Sequence, residues 1–259
     1  MLFDTHCHYD DERYDEDRDQ VISRIREDGV SHFVNVSADR SSLDATLNLI
    51  EKYPGAFGAL GIHPSETEGL TEDVMGYIAE KALSNPKIVA IGEIGLDYHY
   101  EEGDPDPETQ KFWFRRQLDL AAEVNKPVII HSRDAVQDTY DILKEKHAEN
   151  LGGVIHCFSA SKEMAQRYVK SGFYIGVGGV VTFKNAKKLI EVVETVPLES
   201  IVLETDCPYL APVPHRGERN HSGYLNFVAE KIAEIKGVNK EKVCETTFLN
   251  AFRLYRIRR

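Results

Sequence analysis

Eight times along the chain a short apolar run is followed by a stretch of helical period, and few architectures accept that alternation. The apolar runs are Phe3–His8, Ser31–Val36, Phe57–His63, Ile88–Ile94, Pro127–Ser132, Gly153–Phe158, Phe173–Gly178 and Ile201–Thr205. Between them, Asp15–Asp28 carries Val21, Ile22 and Ile25 at helical spacing and is closed by Gly29, while Leu43–Tyr53 sets Leu43, Leu47 and Ile50 on one face. Val74–Leu83, Pro107–Val124, Ala135–Lys146, Lys162–Val169, Ala186–Val193 and Tyr224–Ile235 read in the same way, and Lys240–Tyr255 adds one or two closing helices. Eight strand-then-helix units in 259 residues predict an α/β fold, a parallel (β/α)8 TIM barrel spanning residues 1–259 as a single domain. The competing open, doubly wound sheet announces itself by a glycine-rich phosphate loop after its first strand. Here the first strand ends in His6-Cys7-His8.

A barrel of this kind builds its site at the C-terminal ends of its strands. His6 and His8 end the first run, Glu93 the fourth, His131 the fifth, His156 the sixth and Asp206 follows the eighth. Two imidazoles at i and i+2 on a strand share a face, and Cys7 between them must point the other way. A lone histidine after an aliphatic run is more often a hydrogen-bonded core residue than a ligand, and a lone aspartate at a strand end more often a turn cap. Six such groups on one rim instead predict a binuclear divalent-metal site. The partition expected is His6, His8 and Asp206 on one ion, His131 and His156 on the other, and Glu93 between them. Two ions activate a water and stabilise charge on a phosphoryl or carbonyl oxygen, so the reaction expected is hydrolysis. Asp206, facing the histidines, is a ligand or a general base.

Three further sites are candidates for substrate contacts. His63 ends the third run beside Pro64, and Arg133 lies at i+2 from His131, where a guanidinium suits a phosphate oxygen. His215 and Arg216, on the loop after the eighth strand, balance between a phosphate contact and a solvated loop. His32, His99, His147 and His221 lack such partners and read as structural or surface residues.

Composition bounds the partners. With 31 Lys+Arg against 43 Asp+Glu the net charge is -12, which argues against a broad basic surface for duplex DNA, so a polyanionic substrate needs a local site. No apolar segment approaches the ~20 residues of a membrane span. The four cysteines, Cys7, Cys157, Cys207 and Cys244, show no C-x-x-C spacing, and no secretory signal precedes Phe3, so the expected setting is cytoplasmic. Cys7 and Cys157 are expected to pack rather than ligate. The acidic, proline-broken stretch from Glu101 to Pro107 reads as a surface excursion.

Taken together, Asp4-Thr5-His6-Cys7-His8, Gly61-Ile62-His63-Pro64, Gly92-Glu93-Ile94-Gly95-Leu96-Asp97-Tyr98, Pro127 to Arg133, His156-Cys157-Phe158-Ser159 and Leu203 to Leu210 resemble the TatD family of metal-dependent deoxyribonucleases. Pro212 to Gly217 and Asn250-Ala251 match as well, so the resemblance runs nearly the length of the chain. It implies metals on His6, His8, Glu93, His131, His156 and Asp206, with magnesium, manganese or zinc as the two ions per chain. It also implies an exonuclease, 3'-5' on single-stranded DNA, with Asp206 as the base that orients water and Arg133 and His63 on the scissile phosphate. No obligate protein partner is expected. Two alternatives stay open at this point. One is a hydrolase of an amide, lactone or acyl ester, for example on tRNA, weakened by glutamate rather than lysine at position 93. The other is a silent scaffold barrel, weakened by ligands that lie on an open rim rather than in a closed, sulfur-rich site.

Overall fold

The computed structural model describes residues 1–99 and 103–258, so Tyr100 to Glu102, the start of the acidic loop, lies outside the described residues. Its strands are β1 (Leu2–Cys7), β2 (Val30–Val36), β3 (Ala56–Leu60), β4 (Ile88–Asp97), β5 (Val128–Arg133), β6 (Gly153–Ile155), β7 (Phe173–Val177) and β8 (Ile201–Leu203). The helices are α1 (Arg18–Glu27), α2 (Arg40–Lys52), α3 (Glu72–Ser84), α4 (Pro107–Glu123), α5 (Val136–Glu145), α6 (Lys162–Lys170), α7 (Lys187–Thr195), α8 (Leu225–Lys236) and α9 (Lys240–Leu254). Each strand pairs in parallel with the next, in the order β1 to β8, so the architecture is the TIM barrel that the alternation predicts. Among the described residues no helix is long and apolar enough to cross a membrane.

Closure between β8 and β1 is made differently from the other seams. Among the described residues the one strand bridge at this seam is Cys7–Cys207, past the end of β8. Around it the Asp4 carboxylate, fully buried, accepts from the Thr205 hydroxyl (2.6 Å), the Thr205 N–H (3.0 Å) and the Ser222 hydroxyl (2.6 Å). Thr5 donates to the Leu203 carbonyl at 2.9 Å. A buried carboxylate with several donors thus replaces part of a backbone ladder.

Inside the barrel, Phe3, Val34, Ala59, Val89, Ile129, Val154 and Val202 form an apolar plug. From the N-terminal end α9 seals it with Phe248, Ala251, Leu254 and Tyr255, the Tyr255 hydroxyl donating to the Thr5 carbonyl at 2.7 Å. A second, larger apolar cluster lies between strands and helices. With the floor closed, chemistry is confined to the C-terminal rim.

Several strands end elsewhere than their apolar runs suggest, and the differences matter at that rim. β6 and β8 stop at Ile155 and Leu203, and just beyond them Cys157 and Asp206 take left-handed backbone (φ +43° and +57°). β4 runs on through Asp97, three residues past Ile94. Its Gly95 pairs with His131 at φ +152°, and a Cβ there would lie 2.0 Å from the His131 carbonyl oxygen. Only glycine lets β4 approach β5 this closely.

Candidate metal centre

The bulge in β1 between Asp4 and Cys7 turns both histidines inward, and the Cys7 thiol points outward to the Val34 carbonyl at 3.1 Å, as the alternation requires. His6 Nε2 and His8 Nε2 stand 3.1 Å apart. Two neutral nitrogens at that distance must share one proton, or a cation. Glu93 Oε2 lies 3.4 Å from His6 Nε2, while its Oε1 faces His131 Nδ1 at 2.7 Å and His156 Nε2 at 3.7 Å. Asp206 Oδ1 faces His8 Nε2 (3.4 Å), His156 Nε2 (3.6 Å) and His6 Nε2 (3.8 Å). The His6 and His156 rings stack with centroids 3.5 Å apart. The six residues singled out as ligands therefore converge.

The groups behind these rings decide whether the cluster suits metal. His8 Nδ1 faces the Val36 carbonyl at 2.8 Å, which leaves Nε2 turned inward. His131 Nε2 is held by Asp97 Oδ2 at 3.1 Å, which leaves Nδ1 inward. His156 Nδ1 lies 3.1 Å from Glu204 Oε2, out of line for a hydrogen bond, and its Nε2 faces in. Metal-binding histidines are typically braced through the second nitrogen by a carbonyl or carboxylate. Three of the four face such a group through the second nitrogen, and two of them, His8 and His131, are held to it by a hydrogen bond. The fourth, His6, keeps a buried Nδ1 without a hydrogen-bond partner. This donor set of imidazoles and carboxylates fits divalent ions such as zinc or manganese.

Charge is balanced by protons in this arrangement. Burial would push His8 down, but the Asp206 and Glu93 carboxylates outweigh it and hold His8 at about 9. His131 is raised to about 9 against burial by Asp97 and Glu93, and His156 to about 10 by Glu204, Glu93 and Asp206. His6, buried beside the cationic His156, is lowered. Burial works against ionisation of Glu93 and Asp206 too, yet the surrounding imidazoles keep both below the usual carboxylate range. Divalent ions would take the place of these protons.

The cluster floors a cavity of about 730 Å³ that His63, Asp97 and Arg133 also line. His63 packs edge-on against His131, ring centroids 4.3 Å apart, and burial next to that ring lowers it to about 4. Its Nδ1 accepts from the Ser65 N–H at 3.2 Å, so the proton of the neutral ring sits on Nε2. Arg133, 53% exposed, stands 4.0 Å from Asp97 at the mouth. His215 and Arg216 are not brought to this cavity. The His215 ring stacks on Tyr224 and pairs with Glu218 at 2.9 Å, and the Arg216 guanidinium covers the Phe183 ring at 3.7 Å. Asp97 and Glu204 are the residues that reading single motifs did not assign. A period of two counted from Glu93 and back from Asp206 puts each on the ligand face.

Residues 3–256 match the family described as TatD related DNase. The chain belongs to the TatD family. It is 46% identical over 257 residues to a Bacillus subtilis protein named uncharacterized metal-dependent hydrolase YabD, covering 99% of this chain and 100% of its relative. Identity to the Escherichia coli protein named uncharacterized metal-dependent hydrolase YcfH is 37% over 265 residues, covering 99% and 96%. The crystal structure of YjjV, a TatD homologue from Escherichia coli, superposes with a TM-score of 0.92 at 29% identity, covering 99% of this chain and 98% of that one. The protein is thus a TatD-family metal-dependent hydrolase, with its imidazole and carboxylate groups gathered on the barrel rim.

Proposed function

We propose that this hydrolase is a deoxyribonuclease that cleaves DNA phosphodiester bonds from a binuclear site, acting 3'-5' on single strands. The observation that carries the reading is the convergence of four imidazole nitrogens on Glu93 and Asp206 at an open rim, in a family described as TatD related DNase. His6, His8 and Asp206 are assigned to one ion, His131 and His156 to the other. Glu93 turns one oxygen to each side, as a bridging carboxylate does. Bound there, magnesium, manganese or zinc supplies Lewis-acid polarisation of the phosphoryl oxygen and a water of lowered pKa.

The chain's own groups supply the rest. Asp206 stays ionised among the imidazoles with its side chain 21% exposed to the cavity, so it can take a proton from the attacking water. His63, neutral, offers its Nε2–H to a phosphate oxygen, and Arg133 binds the phosphate from the mouth. Asp97 and Glu204 keep His131 and His156 facing inward.

The test is cleavage of an end-labelled single-stranded oligonucleotide by metal-stripped protein, resupplied with magnesium, manganese or zinc. Stepwise, metal-dependent shortening is expected, and Asp206→Asn lowers it by about 10²–10⁴-fold while the variant stays folded. No cleavage with any of the three metals, or full activity in Asp206→Asn, would overturn the proposal.

A further inference from the structure

Charge is divided across the mouth of the site. On the side of β1 and β2 the cavity is lined by Asp10, Asp11, Glu12 and Asp39. Across Asp206, a second cavity of about 500 Å³ opens between the ends of β6, β7 and β8, and Asp206 lines both. This second cavity is floored by Phe158, Val180, Leu189 and Leu210, with Lys187 and Lys188 at its edge. Both lysines are exposed, and among the described residues neither has an ion-pair or hydrogen-bond partner. The acid one turn along α7, Glu191, is engaged by Lys162 at 3.4 Å. Lys187 and Lys188 open α7, whose first turn holds no acid, so the positive end of the helix adds to the two ammonium groups. Arg216, over the Phe183 ring, and exposed Lys184 next to that ring in sequence extend the same basic margin, with exposed Val213 bonded to Thr182 beside them.

Basic groups interleaved with apolar and aromatic surface are how single strands are held without base pairing. Resting on the nuclease reading, we propose that the substrate strand leaves the metal cluster across Asp206 toward α7. A base beside the scissile phosphate lies in the apolar second cavity, and a neighbouring phosphate rests on Lys187 and Lys188. The acidic margin by β1 and β2 repels the strand, which fixes the side of approach in a chain of net charge -12.

The test compares wild type with Lys187→Gln/Lys188→Gln and with Val180→Asp, each loaded with metal. Substrates are a single-stranded octanucleotide and bis(p-nitrophenyl) phosphate, which carries no second phosphate for the two lysines. The ratio of kcat/KM for the oligonucleotide to that for the small diester is expected to fall about tenfold or more in both variants, the loss of one charge-assisted contact or of the base's seat. For the lysine pair, the slope of log(kcat/KM) against log salt becomes shallower by about 0.7, as for one single-strand phosphate. A wild type that cuts the oligonucleotide while both variants keep its ratio and slope would overturn the path and leave the nuclease reading intact. Loss in the lysine pair alone would overturn the base site. A wild type that cuts the small diester but no oligonucleotide would overturn the nuclease reading, and the path with it.

Discussion

Adding one methyl group at Gly176 is expected to damage both the fold and the metal centre, through Glu204. A Cβ on Gly176 would lie 2.4 Å from Glu204 Oε2 and 2.8 Å from Oε1, so the carboxylate must retreat by roughly 0.6 Å to reach even a 3.0 Å contact. It has nowhere to go without loss. Oε1 accepts the Cys157 N–H at 2.6 Å, and Oε2 faces His156 Nδ1 at 3.1 Å in a fully buried setting. Overpacking costs about 1–3 kcal/mol. Leaving the Cys157 N–H or the carboxylate unsatisfied costs about 1–3 kcal/mol more. At about 2–4 °C per kcal/mol for a domain of this size, a loss of ~3 kcal/mol lowers Tm by about 6–12 °C. The unbraced His156 should weaken metal binding by about 10–100-fold. Calorimetry of the metal-free protein reads the first effect, and competition with a chromophoric chelator the second. Gly76→Ala on α3, where a Cβ meets nothing within 4 Å, is the control and should stabilise by about 0.5–1 kcal/mol. An unchanged Tm for Gly176→Ala would refute the packing argument. A lowered Tm with unchanged metal affinity would refute the link from Glu204 to His156.

Asp97→Ala frees His131 Nε2 at a partly exposed position, so chelator competition should show metal affinity down about 10–100-fold with little change in Tm; full affinity would mean that Asp97 does not brace the ring. In the metal-free fold His8, His131 and His156 keep their protons to about pH 9, 9 and 10, against ~6.5 unfolded. Their contribution to stability is complete below about pH 6.5 and is lost as pH rises through 9–10, so the metal-free protein should melt lower at pH 9.5 than at pH 7. Because ligation needs neutral imidazoles, metal uptake at pH 7.5 should release about three protons per chain. Titration calorimetry in two buffers of different ionisation enthalpy counts them, and release of fewer than one would contradict the charge balance described above.

The barrel was legible because each strand buries both faces and so reads as a continuous apolar run. His6 and His8 were legible as a pair because a strand alternates. Asp97 and Glu204 were harder to see for opposite reasons. β4 outlasts its apolar run, so Asp97 reads as loop, whereas Glu204 sits within a motif whose Asp206 already accounts for the chemistry. His215 and Arg216 lie on a loop with no period to orient them, and their directions are set by Tyr224 and Phe183, which no local pattern reveals.

The seam held by Asp4 has a consequence for how the protein comes into being. Asp4 meets Thr205 and Ser222 across some of the longest chain separations in the molecule, and His6 and His8 meet Asp206 across nearly as long a span. Contacts between distant segments form late, since the intervening chain must be ordered first. On the ribosome, β1 emerges with two of the six cluster residues, and they wait until Asp206 has been made. A chain made only as far as β7 lacks Asp206, so the six groups on the rim come together only when the ring closes.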